Sequence, residues 1–303
     1  LPSTGMFYMD DHVTITLNVF SGRPNPVWDL KPHHAKAFLE LDHRLGSAET
    51  TVIVPHSGLD RLGYRGFLAS GVPVGRSVGV DRLGFLMSED VAVRNRSEMG
   101  YIENNIRLER WLLETAGPTI NRDLRAHVEA AIERPSSVEP VPHPATDRDD
   151  CPPCRAADAP SYNLSIWNAS HVQSTNNCYN YANDRITNTF AQPGKAKGAP
   201  IAAIDCSSVE ISAQADGLRP VPGFSSPLGH GAGWYVALVV WPGMDHHWYA
   251  QDSTGCWSHK PGQTPVLNTD NSGNRIRDPR LCDRGPYTDF CTYMITDRTV
   301  VIR

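Results

Sequence analysis

Seven cysteines and twelve histidines carry most of the reactive chemistry in this 303-residue chain, and one stretch places a cysteine where it could be used. In Asn176-Asn177-Cys178-Tyr179-Asn180-Tyr181-Ala182 the thiol follows asparagines, which favour helix N-caps. A thiol in the first helical turn meets unpaired backbone N–H groups and the positive end of the helix dipole, which stabilise a thiolate. A cysteine nucleophile needs that state. Further along, Asp245-His246-His247-Trp248-Tyr249 opens a strand next to the apolar run Trp234 to Trp241. His247 can take the thiol proton if that strand crosses the helix N-terminus. A third polar group must then orient the imidazole, and both Asp252 and His259 are near enough in sequence.

A helix-borne cysteine, a strand beginning with histidine and a polar residue about a dozen positions later resemble the papain-like superfamily. The NlpC/P60 and CHAP branches, which cleave peptidoglycan-type amide bonds, are most similar in order and spacing. The resemblance implies a papain-like α+β domain, with the cysteine helix packed on an antiparallel sheet and no cofactor. It also implies a Cys–His peptidase or amidase acting through a Cys178 thioester on a peptide or peptidoglycan-like substrate. His247 would be the base, His259 the orienting group and Gln173 the oxyanion donor. The resemblance spans roughly residues 170–262. Two departures stand out. Tyr179 and Tyr181 occupy positions where the superfamily has small residues, and strand alternation puts His247 and Asp252 on opposite faces, which favours His259. The segments around Cys178, from His247 to Gly262 and from Val19 to Leu30 are also similar to uncharacterised secreted bacterial proteins, which names no activity.

The elements expected to position these residues form two α+β domains. In the first, residues 9–134, alternation of Val13, Ile15, Leu17 and Val19 predicts a half-buried strand. The Ser21 to Pro26 segment breaks it with a glycine and two prolines. An amphipathic helix over Pro32–Leu45 should turn Ala35, Phe38, Leu39 and Leu41 inward. Strands follow near Thr51–Val54 and Gly63–Leu68. Helices over Ile102–Thr115 and Ile120–Ile132 are split by Gly117-Pro118, with Thr119 or Asn121 as the second cap. This domain has no catalytic constellation and reads as a recognition or scaffolding module. Residues 135–160 are proline-rich and read as a linker, stapled by Cys151-Pro152-Pro153-Cys154. In the second domain, residues 161–303, the pattern predicts a main helix over Asn177–Phe190. Strands are expected over Trp234–Val240, from His247, near Tyr293–Ile295 and over Val300–Ile302.

All seven cysteines fall in the second half, which points to a disulfide-bearing domain. With Cys178 reserved as the free thiol, Cys151, Cys154, Cys206, Cys256, Cys282 and Cys291 are the disulfide candidates. Asn95, Asn163 and Asn168 begin glycosylation sequons. Leu1 in place of methionine is expected of a chain whose leader has been removed. Together these features predict secretion. A net charge of −5 without basic runs argues against nucleic-acid partners. No apolar stretch approaches the ~20 residues of a membrane span. No second close cysteine pair completes a zinc site, so no metal is expected. Asn268–Asn274 spaces oxygen ligands like a calcium loop but lacks the terminal glutamate and reads as a tight turn. Oligomeric state is left open. The rival to the hydrolase is a non-catalytic secreted glycoprotein that binds a ligand or assembles into extracellular material; it has no reason to spare Cys178 from a disulfide.

Overall fold

The structure, a computed structural model, describes residues 13–44, 51–54, 61–70, 100–103, 106–133 and 151–303. Strand β1 (Thr14–Leu17) lies where alternation places it, with Val13, Ile15 and Leu17 fully buried on one face. After the Ser21–Pro26 break come β2 (Val27–Asp29) and helix α1 (Pro32–Arg44), which starts on a proline that has no N–H to waste. α1 buries Ala35 and Phe38, as expected; the Leu39 and Leu41 side chains lie outside the described residues. Strands β3 (Thr51–Val54), β4 (Phe67–Ser70) and β5 (Gly100–Glu103) complete a five-stranded sheet in the order β2-β1-β4-β3-β5. Its pairs are antiparallel except β3 with β5. Helices α2 (Ile106–Thr115) and α3 (Arg122–Glu133) bury Leu108, Leu112, Leu113, Leu124, Val128 and Ile132 in the same core as β1. Asn121 is the cap of α3, accepting from the Leu124 N–H at 2.8 Å. The expected start of α2 at Ile102 is displaced, because Ile102 lies in β5, paired with Ile53 of β3.

The second sheet runs β6-β10-β7-β8-β9 and is antiparallel throughout: β6 (Arg219–Val221), β7 (Trp234–Trp241), β8 (Asp245–Gln251), β9 (Trp257–His259) and β10 (Asp289–Thr296). β7 is apolar at nearly every position because both sheet faces are covered. Trp234, Val236, Leu238 and Val240 face one core, and Tyr235, Ala237 and Val239 face another. The first core is closed by four helices: α4 (Leu164–Trp167), α5 (Ser170–Thr175), α6 (Cys178–Ala182) and α7 (Cys206–Asp216). The second is closed by Ile276, Tyr287 and, from the N-terminal half, Leu62. The helices and antiparallel sheets are those of an α+β protein.

Several expected elements differ. The main helix predicted over Asn177–Phe190 is only α6, five residues long. Polar side chains end it: Asn180 donates to Arg185 O and Thr187, and Asn176 accepts from the Thr187 and Asn188 N–H groups. These bonds hold residues 184–190 in a loop with positive φ at Asp184, Asn188 and Phe190. Val300–Ile302 forms no strand. Residues 151–160, expected as linker, are docked on the second sheet. Ala157 N–H donates to Leu228 O, Ser253 N–H donates to Pro160 O, and Asp158 accepts from the Gly231 and Gly233 N–H groups. Cys151 and Cys154 are not bonded to each other. Cys151 pairs with Cys256 beside the β8–β9 turn, and Cys206 at the start of α7 pairs with Cys291 in β10. Cys154, Cys178 and Cys282 are free thiols, so four cysteines pair where six were expected. Cross-linking follows spatial rather than sequence proximity. Among the described residues no helix is long and apolar enough to cross a membrane.

Candidate functional site

The polar residues of β8 meet the Ser21–Arg23 loop in a junction closed to solvent. β8 pairs along β7 from Asp245 to Ala250, so its side chains alternate between the two cores. Trp248 and Ala250 share a core with Cys178 and Tyr179 of α6, which places His246 on the helix side; Tyr249 belongs to the other core, which places His247 there. The Cys178 thiol accordingly lies over the β8 backbone, 3.9 Å from the His246 carbonyl oxygen. It does not pair directly with the His247 imidazole.

Between them stands Ser21, a residue the sequence reading passed over as part of a chain break. Its hydroxyl is 2.5 Å from His247 Nδ1 and lies near the Cys178 thiol. His247 Nε2 lies 2.8 Å from His259 Nδ1, and His259 Nε2 lies 3.1 Å from the Thr269 carbonyl. His259 is thus hydrogen-bonded to His247. Asp252 is not: its Oδ1 accepts from the Thr254 N–H and hydroxyl in the β8–β9 turn. Gln173, the expected oxyanion donor, spends its amide on the Gln263 carbonyl at 3.0 Å.

Asp245 anchors the incoming loop. Its carboxylate accepts from the backbone N–H groups of Ser21 at 2.5 Å, Gly22 at 3.1 Å and Arg23 at 2.9 Å, and from the Tyr287 hydroxyl at 2.6 Å. Successive amides turned towards one carboxylate form an anion-binding nest. Gly22 is required sterically, since a Cβ there would sit 2.3 Å from His246 Cε1. From the α6 side, Asn177 caps the helix through its Oδ1 and donates its amide to the carbonyls of Gly22 at 2.7 Å and Ala191 at 2.8 Å. Two buried cations complete the junction. Arg65 donates to the Phe20 carbonyl at 2.7 Å and to Gly63 O at 2.9 Å. Lys260 donates to the carbonyls of Gln173, Asn176 and Gly262 at 2.5–2.7 Å, one acceptor for each ammonium proton.

Burial dominates the electrostatics. The Cys178 thiol is pushed up rather than down, first by desolvation and then by the Asp245 charge. A five-residue helix already closed by a capping box leaves little dipole to oppose this. His247 is held well below the ordinary histidine range by burial and by its histidine neighbours. His246 and His259 are each lowered to about 4, mainly by burial. Cys178, His246 and His247 have no accessible surface and His259 has 1%. Ser21, Arg65, Asp245, Lys260 and Tyr287 all escaped the sequence reading. The one local hint was the polar, glycine-containing Ser21–Arg23 segment directly after an alternating strand.

Elsewhere, the loop spaced like a calcium site is a turn whose acid is already occupied. Asp270 accepts from the Ser272, Asn274 and Asp283 N–H groups at 2.9–3.0 Å. Of the sequon asparagines, Asn163 caps α4, Asn168 accepts from the Val266 N–H, and Asn95 lies outside the described residues.

Fold and site together define a disulfide-tied α+β protein whose polar centre is a packed junction. No family model matches the chain, and no solved structure matches it. A relative is the insoluble matrix shell protein 1 of Ruditapes philippinarum, 48% identical over 128 residues, which span 42% of this chain and 84% of the relative. The chain belongs to the family of that shell matrix protein.

Proposed function

We propose that this chain is a non-catalytic secreted protein that assembles into insoluble extracellular material. The observation that carries the reading is its 48% identity to a protein named for an insoluble shell matrix. Two disulfides fit an oxidising extracellular location. Cys178 is a free thiol, as the hydrolase reading requires, but it is buried and lies on the other side of β8 from His247, which favours a structural junction over a thiol-hydrolase cleft. On this reading the N-terminal sheet is a scaffolding module, and Asn95, Asn163 and Asn168 are the glycosylation positions.

Fractionation of the secreting tissue tests the proposal. The chain is expected in the extracellular fraction that resists neutral buffer and dissolves only in denaturant with reductant. Recovery from cytosol, or entirely in soluble secretions, would refute it. Iodoacetamide labelling of the native protein across pH 5–9 tests the alternative of a cysteine hydrolase. Cys178 should stay unmodified while the half-buried Cys154 and Cys282 react first, Cys282 slowly because burial pushes its thiol up to about 12. Selective labelling of Cys178 near neutral pH would restore the hydrolase reading.

A further inference from the structure

The groups around one peptide bond, Phe20–Ser21, are those needed to break it. The Ser21 hydroxyl is 2.5 Å from His247 Nδ1, a histidine backed by His259 at 2.8 Å. The carbonyl oxygen of Phe20 accepts from Arg65 Nη2 at 2.7 Å. The N–H of Ser21 donates to Asp245 Oδ2 at 2.5 Å. A base thus sits on the nucleophile, a cation on the developing oxyanion and a carboxylate on the leaving nitrogen, all from different parts of the chain and all buried. We propose that this junction is a self-cleavage site at which Ser21 opens its own preceding peptide bond and the two pieces stay associated.

The chemistry balances without any added cofactor. The Ser21 Oγ lone pair adds to the Phe20 carbonyl carbon through a five-membered ring as the hydroxyl proton passes to His247 Nδ1. The oxyanion forms on Phe20 O, facing Arg65. Collapse breaks the carbon–nitrogen bond, and the Ser21 nitrogen takes the proton back from His247 and leaves as an amine beside Asp245. One water then adds to the resulting ester, releasing the Ser21 hydroxyl and a Phe20 carboxylate. The new chain ends match charges already in place, with the carboxylate on Arg65 and the ammonium, once protonated, on Asp245. Burial keeps His247 neutral and so able to accept the first proton. The piece ending at Phe20 would remain bound, because β1 lies between β2 and β4.

This differs from the thiol hydrolase expected from sequence, since Ser21 rather than Cys178 is the nucleophile and the substrate is the chain itself. It is also independent of matrix assembly and can fail without touching that reading. The test is intact-mass spectrometry of the full chain, denatured in acid after incubation at pH 7 for hours to days. A species beginning at Ser21 is expected, absent from Ser21→Ala and retained in Ser21→Cys. Added hydroxylamine should raise its yield at least tenfold and leave a hydroxamate on Phe20. If Ser21→Ala does not fold, that hydroxamate decides alone, because a contaminating protease leaves a plain carboxylate. An uncut chain with and without hydroxylamine overturns the proposal. So does cleavage that persists in Ser21→Ala.

Discussion

Acid should unfold this protein over a range set by its buried histidines. His246 and His259 titrate near pH 4 in the folded chain against an ordinary value of 6.5. The ring nitrogens of His246 have no hydrogen-bond partner among the described residues, and Gly22 packs against the ring. His259 is enclosed between His247 and the Thr269 carbonyl and feels the Arg65 charge. Below pH 6.5 the unfolded chain takes up protons that the folded chain refuses, so stability falls as pH falls, and the loss is complete near pH 4. At 1.36 kcal/mol per pH unit, each histidine removes about 2 kcal/mol by pH 5 and about 3 kcal/mol by pH 4. His247, lowered well below its ordinary value, adds to this. The combined loss is comparable with the roughly 5–15 kcal/mol that holds a typical domain folded. Urea unfolding followed by tryptophan fluorescence from pH 8 to 4 measures it. Free energy should fall steeply below pH 6.5, and His246→Leu should recover about 2 kcal/mol of the loss at pH 5. Stability unchanged between pH 7 and 5 would refute the reasoning, since it would mean that these imidazoles accept protons in the fold as readily as in water.

Gly22→Ala should lower the thermal midpoint by several degrees, equivalent to about 1–3 kcal/mol, because the new methyl collides with the His246 ring and carbonyl; differential scanning calorimetry reads the shift. Asn177→Ala removes a helix cap and two interior hydrogen bonds to Gly22 and Ala191. About 2–4 kcal/mol of stability should go with it in urea titration, more than a surface cap yields. Reduction of the disulfides, which join residues 105 and 85 positions apart, should cost about 4–5 kcal/mol each. Urea midpoints with and without reductant test this, and Cys206→Ser with Cys291→Ser isolates the second bridge.

Local periodicity and capping chemistry were legible from the residues themselves. The alternation at Val13, Ile15 and Leu17 requires a strand with one buried face, and the unbroken apolar run of β7 requires one buried on both. Asn121 and Asn177 cap helices because a short amide side chain can reach the N–H groups that open a helix. The helices α5 and α7 stayed hidden for the converse reason. α5 is too short to show a period, and α7 buries only Val209, Ser212, Ala213 and Asp216 while leaving Ile211 exposed, so neither displays an apolar stripe.

Partnership was decided only in three dimensions. His259 could be suggested as a partner of His247 from its position 12 residues along the chain, but Ser21 reaches His247 from 226 residues away. Strand alternation established that His246 and His247 point to opposite faces, yet only the packing of α6 shows that Cys178 lies on the face of His246. The same holds for the thiol's chemistry. A helix N-terminus favours a thiolate by a short-range dipole, whereas desolvation depends on everything packed around the sulfur, and at Cys178 the second effect is larger. Caps and periods act over a few residues and are written locally. Burial, disulfide partners and the closed Asp245–Ser21–His247 junction arise from contacts between distant segments, which no local pattern encodes.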